Sequence, residues 1–475
     1  MKSRLTAAAA DGEPSGLDES RDNTILMVAS RRGSSRANVR GGAMVANPVI
    51  VVPGITASYL DDRYPLPPQT IWSVLTKEYE RAALHPDDVR YEATEPSLVR
   101  GGQLFEICYR EMIEELRYNL REKEDEPVPV YPFSYDWRQP IETAAQELAG
   151  FVDEVIARTS LMRHYYDAGY TRANGRVNFV GHSMGGLVIL SYLRNLAAAA
   201  KAAKVVTLAT PFRGSFESVI KITTGTANLG TSAPSSRERE AARMTPSLYY
   251  LLPDLPGAIK TDPGIPNDIF DSAAWQPSIV DTIKEYIRLR GLNPADAERQ
   301  AQTLFKKFLD DAKALRAMLA GFNLGDAGLT TEDWLCVAGV DADTRVRLAI
   351  VKTDGEPQFK FSSDDRQNQW GKTTRRTMTG DGTVPYGGAL PHFLPIEKVV
   401  CVSPSDYGYW ELQDSATTKF AGFHGILPNM DMLHRLITRF FKDEEDSRGN
   451  TWGRPPVGVA KEEWKPPLKG GLRAK

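Results

Sequence analysis

At 475 residues the chain is long enough for a large enzyme core with insertions, and its 41% apolar and 25% charged residues describe a globular protein able to bury that core. A formal net charge of -3 offers no cationic footprint for nucleic acid, and no apolar run reaches the length of a bilayer span. Three cysteines, Cys108, Cys336 and Cys401, lie in apolar or periodic segments, with neither a disulfide framework nor metal-ligand spacing.

Residues 1-44 are rich in Ala, Ser, Gly, Arg and Asp and lack an apolar signal core, so they are predicted to be a disordered leader on a cytoplasmic protein. The run Val49-Ile50-Val51-Val52, ended by Pro53-Gly54, suits a strand buried on both faces. Helices are predicted over Gln69 to Ala83 and Phe105 to Arg121, the second with Ile107, Met112, Ile113, Leu116 and Leu120 on one side. A strand from Val128 and an amphipathic helix through Ala144, Leu148, Val152, Val155 and Ile156 follow. Val177 to Val180 and Lys204 to Ala209 are further buried strands. Strand and helix in alternation predict an α/β fold with a mostly parallel sheet flanked by helices, its first part over 45-211.

Residues 212-332 change character and are predicted to form an inserted, mainly helical cap, with Gly225 to Ser236 as a lid candidate. Ser278 and Asp281 resemble a capping box, and Asn293-Pro294 starts a helix whose stripe runs through Ala301, Phe305, Phe308, Ala312, Leu315 and Leu319. The sheet resumes over 333-442, with a hairpin excursion at 341-378 turning at Asp354-Gly355 and a last strand at Glu397 to Ser403. A helix near Asp431 to Phe441 precedes a tail, 443-475, predicted to be extended or disordered.

The chemistry concentrates at Gly181-His182-Ser183-Met184-Gly185, between an apolar strand and a helix: a nucleophile elbow with Ser183 at its apex. A serine hydroxyl needs a base, and the base a carboxylate, which in this strand-turn-helix setting follow in the order acid, then His. His182 would point away across the turn, His85 and His164 precede the elbow, His392 comes before the last strand, and His434 lies inside a helix; His424, in a loop after the last strand, is best placed. Asp381, between glycines on a tight loop, is the preferred acid, with Asp341 and Asp406 as competitors. The backbone N-H groups of Met184 and of Ile55, or less favourably Thr56, would form the oxyanion hole.

These residues resemble the lecithin:cholesterol acyltransferase family of α/β-hydrolases. The resemblance is carried by Val52-Pro53-Gly54, Tyr135-Asp136-Trp137-Arg138, Gly181 to Gly186, Ala209 to Ser215, Thr245-Pro246-Ser247 before Leu251-Leu252-Pro253, Gly380 to Val384 and Phe423-His424. It implies an α/β-hydrolase fold with a lid-bearing cap, Ser183 as nucleophile, Asp381 as acid and His424 as base, with Ile55 and Met184 as the oxyanion hole. It also implies an ester or phospholipid as acyl donor; a transient lipid-interface contact is a further expectation, and acyl-enzyme exchange calls for no metal or organic cofactor. Tyr135 to Arg138 are expected to support the pocket. The expected function is a serine lipase, phospholipase or O-acyltransferase, against a carboxylesterase for non-lipid esters or polyesters and a non-catalytic binding scaffold. Oligomeric state is left open.

Overall fold

The computed structural model describes residues 45-73, 75-225, 236-366, 379-408, 411 and 422-475. The predicted leader and all of the lid candidate except its two end residues therefore lie outside the described residues.

The chain starts with β1 (Val49–Val52), then β2 (Ser58–Asp62), β3 (Gln69–Trp72), α1 (Tyr79–Ala82), β4 (Val99–Leu104), α2 (Glu106–Leu120), β5 (Val130–Pro132), α3 (Ile141–Thr159), α4 (Arg163–Asp167), β6 (Val177–His182), α5 (Met184–Leu196) and β7 (Ala202–Leu208). After it come α6 (Phe216–Thr224), α7 (Ser236–Arg243), α8 (Pro246–Tyr250), β8 (Ile259–Thr261), α9 (Ser278–Arg290) and α10 (Ala297–Ala320). The last elements are β9 (Trp334–Gly339), β10 (Leu348–Thr353), β11 (Glu356–Lys360), β12 (Val400–Val402), α11 (Asp431–Lys442), β13 (Trp452–Gly453) and β14 (Arg473–Ala474).

Six strands build the central sheet in the order β12-β9-β7-β6-β1-β5, every pair parallel. Its inner strands β1, β6 and β9 are buried along their whole length, which is why they read as continuous apolar runs rather than as alternation. Alternate side chains feed two cores. Ile50, Phe179 and Val205 pack with α3 and α5, while Val51, Val180 and Val206 pack with α2 and α11.

Three local expectations need correction. Gln69 to Ala83 is not a helix. Its first residues form β3 in an antiparallel sheet, β3-β2-β4, and only one turn, α1, is helical. In α2, Ile107 is exposed and Tyr109 takes the buried place. The capping box at Ser278 is not formed, because Pro277 is the N-cap and makes no side-chain cap. The tail takes the extended one of its two expected forms and is packed: Trp464 and Leu468 are buried, Arg454 pairs backbone to backbone with Cys401 of β12, and the Trp464 indole donates to Val399 O at 2.8 Å.

Residues 212-332 are mainly helical, yet they share a small sheet with the later hairpin, since β8 pairs parallel with β10 and β10 antiparallel with β11. The segment between β1 and α2 also reaches these helices. Tyr286 Oη donates to Leu84 O at 3.1 Å, and Tyr79 Oη to Glu238 at 3.0 Å. Among the described residues no helix is long and apolar enough to cross a membrane.

Candidate active site

β6 delivers the chain to Ser183 in a backbone conformation, φ 54° and ψ -130°, that a side chain rarely adopts, and α5 starts at the next residue. Ser183 N-H donates to Leu208 O of β7 at 2.9 Å, which anchors the turn to the sheet. Two glycines let other backbone come close. A Cβ on Gly185 would sit 2.2 Å from Val52 O at the end of β1. One on Gly54 would sit 2.8 Å from Ser183 Cβ.

The structure brings Ser183, His424 and Asp381 together. Ser183 Oγ lies 2.9 Å from His424 Nε2, and His424 Nδ1 lies 2.7 Å from Asp381 Oδ2. A carboxylate only accepts, so Nδ1 carries the proton and Nε2 is left to accept from the serine hydroxyl. Asp381 is nearly fully buried, and its other oxygen takes the backbone N-H groups of Thr383 at 2.9 Å and Val384 at 2.6 Å. This tight Asx turn, with Gly382 at φ +96°, is what the Gly-Asp-Gly spacing encodes. The rival Asp406 is spent elsewhere, on Ser403 N and the side chains of Arg454 and Lys475. Asp341 occupies a left-handed turn after β9, and the hydrogen bond to His424 is made by Asp381. His392 and His434 are engaged by the carbonyls of Phe322 and Pro428.

Ile55 lines the space beside Ser183, and Met184 is the first residue of α5, where an N-H has no partner within the helix. The Gly54 N-H is occupied by Tyr109 Oη at 3.0 Å, so it is not available there. Tyr135 Oη donates to Pro53 O at 3.0 Å and fixes the same loop from behind. Arg138 is buried against Asp136 at 2.7 Å and Glu92 at 2.8 Å, and Trp137 packs edge-on against Trp72.

Residues 101–310 match the family model of lecithin:cholesterol acyltransferase. The resemblance seen in the motifs thus holds over the segment from β4 into α10, and the fold is that of an α/β-hydrolase, with its mostly parallel sheet flanked by helices. Ser183 lies inside the matched segment, whereas Asp381 and His424 lie beyond it. No curated protein matches the chain. Among solved structures, that of the Tle4-Tli4 complex is similar over 72% of this chain and 88% of that chain, at 14% identity and a TM-score of 0.49.

The acyltransferase-like segment contributes most of the wall above Ser183. A cavity opens there, lined by Phe105, Leu248 and Leu251 as well as Ile55 and His424. A second cavity shares Thr56, Phe105, Lys221 and Leu248 with the first and continues along Trp72 and Trp137. Most of its surface is apolar, which suits hydrocarbon.

Sequence reasoning missed several residues of this wall. Glu217 and Lys221, one turn apart on α6, both line the first cavity. Burial pushes the Glu217 carboxyl up, against the pull of Lys221, and burial pulls the Lys221 ammonium down. Nothing in a short amphipathic helix distinguishes them from solvated charges. His182, expected to point away from Ser183, has its Nε2 on His424 O at 3.0 Å and its Nδ1 on Tyr109 Oη at 2.7 Å. A tyrosine at a core-facing helix position was the available signal, because its hydroxyl must find a partner when buried.

Proposed function

We propose that this chain is a serine-dependent lipase, phospholipase or O-acyltransferase that works through an acyl-enzyme on Ser183. The coarser part of that statement, an esterase or acyltransferase of lipid-like esters, is supported by the family match. The finer part rests on one observation: the Ser183-His424-Asp381 line, hydrogen-bonded at 2.9 and 2.7 Å on the floor of a largely apolar cavity.

In this reading His424 Nε2 takes the Ser183 proton as Oγ attacks the ester carbonyl. The oxyanion of the tetrahedral intermediate is held by the N-H groups of Ile55 and Met184. Collapse of that intermediate breaks the bond to the leaving alkoxide, which receives the proton from His424. Water or a second alcohol then gives its proton to His424, attacks the acyl-serine, and Oγ leaves reprotonated. Asp381 keeps the imidazole in the required tautomer and stabilises its cation. No step draws on a metal or organic cofactor. The apolar walls favour acyl chains over small polar esters, and the line of hydrogen bonds weighs against a pure binding scaffold.

The test is direct. Ser183→Ala should abolish turnover of a p-nitrophenyl ester, by a factor of about 10⁴ or more. A fluorophosphonate should label the parent at Ser183 and leave the variant unlabelled. Equal turnover by the two proteins would overturn the proposal. Mixed phospholipids and a sterol, offered together and read by lipid mass spectrometry, would tell hydrolysis from acyl transfer.

A further inference from the structure

The Ser-His-Asp line leaves unexplained a second set of buried polar groups packed behind it. Gly54 N-H donates to Tyr109 Oη at 3.0 Å, Tyr109 Oη lies 2.7 Å from His182 Nδ1, and His182 Nε2 lies 3.0 Å from His424 O. Tyr109 is 1% exposed and His182 4%, so each of these groups must find its partner inside the protein.

The directions follow from chemistry. A carbonyl only accepts, so His182 Nε2 carries a proton and donates to His424 O. A protonated Nδ1 would force Tyr109 Oη to accept from both His182 and Gly54, leaving the phenol proton with no acceptor in a buried site. Nδ1 is therefore bare, Tyr109 donates to it, and Gly54 donates to Tyr109. Burial, together with the nearby His424, holds the His182 imidazole well below its usual pKa, in agreement with a neutral ring.

The two ends of this thread are significant. Gly54 immediately precedes Ile55 and lies against Ser183, with room for no Cβ. At the other end, His424 already donates its main-chain N-H to Asp381 O at 3.0 Å, so the His182 bond fixes the remaining polar group of its backbone. The imidazoles of His182 and His424 also pack with centroids 4.9 Å apart. The backbone and ring of His424 are then held from two sides, by Asp381 and by His182.

We propose that Tyr109 and His182 are positioning residues, forming one hydrogen-bonded thread that holds the loop after β1 and the backbone of His424 at a fixed separation across Ser183. The inference rests on the serine mechanism proposed above. A base displaced by a fraction of an ångström loses alignment with Ser183 Oγ, and a displaced Ile55 amide loses the oxyanion, while ester binding along the apolar walls is unaffected.

The experiment measures kcat and KM for p-nitrophenyl butyrate, per site titrated with a fluorophosphonate, in the full chain. His182→Ala should lower kcat about 10- to 100-fold with KM within about twofold, and Tyr109→Phe should lower kcat about tenfold. His182→Gln, which restores a donor toward His424 O, should recover most of the loss. The double variant Tyr109→Phe/His182→Ala should be no worse than His182→Ala alone within about twofold, because one thread can be cut only once. A kcat within about twofold of the parent in either single variant would overturn the proposal, and so would a glutamine no better than alanine or effects that multiply. Should His182→Ala fail to fold, Tyr109→Phe, which removes a single oxygen, decides alone. Turnover surviving in Ser183→Ala would sink the serine mechanism and the thread's role with it; an inactive Ser183→Ala beside a fully active His182→Ala would sink the thread only.

Discussion

At the scale of single residues, Ser183 is held in a strained conformation by neighbours that have little freedom to move. β6 and β7 fix its amide, Gly185 lets the end of β1 pass behind it, and Gly54 lets the following loop lie against its Cβ. Strain of this kind, of order 1–3 kcal/mol, persists only where the surroundings over-determine it. Gly54 has an ordinary backbone, so its requirement is purely one of space. Gly54→Ala should therefore fold, with a melting temperature within a few degrees of the parent, and lose about 10- to 100-fold in kcat as the loop is pushed off Ser183. Parallel assays of ester turnover and thermal unfolding would check this. A large stability loss with unchanged kcat per folded molecule would count against the tight approach.

At the scale of elements, the cap helices are joined to the sheet by a buried cation. Arg316 of α10 donates to Phe212 O at 2.7 Å, Tyr250 O at 2.6 Å and Leu252 O at 3.1 Å, so one side chain joins α10, the loop after β7 and the end of α8. Burial pulls its pKa down to about 10, still far above neutrality. Arg316→Ala would leave three buried carbonyls without a donor, and urea unfolding should report a loss of about 3 kcal/mol or more. A change below about 1 kcal/mol would show the clamp to be dispensable.

What could be read from the chain at this scale follows from the range of the forces involved. The stripe of α10 through Phe305, Phe308, Ala312 and Leu315 is local, and so is the Asp354-Gly355 turn of the hairpin; the residues named are those that pack. Arg316, one position past Leu315, has partners some 60 to 105 residues away, and no local pattern announces them. β3 was mistaken for helix because a strand in a small half-exposed sheet shows two exposed residues, then two buried ones, rather than an alternation. At the candidate site, Ser183, Asp381 and His424 stood out because turn glycines and chain order are written locally. His182 and Tyr109 meet only through the fold.

At the scale of the whole molecule, buried imidazoles make stability depend on pH. Burial depresses the pKa of both His182 and His434 below the ordinary 6.5. The folded state then binds fewer protons than the unfolded chain, so the stability these groups allow is intact above pH 6.5 and is lost as pH falls below it. Glu147, Glu217 and Glu411, whose carboxyls burial raises, act in the opposite sense, so the measurement must be a difference. Between about pH 7.5 and pH 5.5, His434→Gln should lose less stability than the parent in urea titrations. Equal losses would mean that His434 is protonated in the folded protein.

The tail also acts at this scale. β12 is an outer strand of the central sheet, and Arg454 exchanges both backbone hydrogen bonds with Cys401 while Lys465 N-H reaches Glu397 O and the Trp464 indole reaches Val399 O. An outer strand with bare amides and carbonyls invites pairing with another chain. Residues 443-475 occupy those groups instead, and the strap is pinned by Arg454 and Lys475 on the buried Asp406. At that edge of the sheet the backbone groups a neighbouring strand would need are already taken from within the same chain.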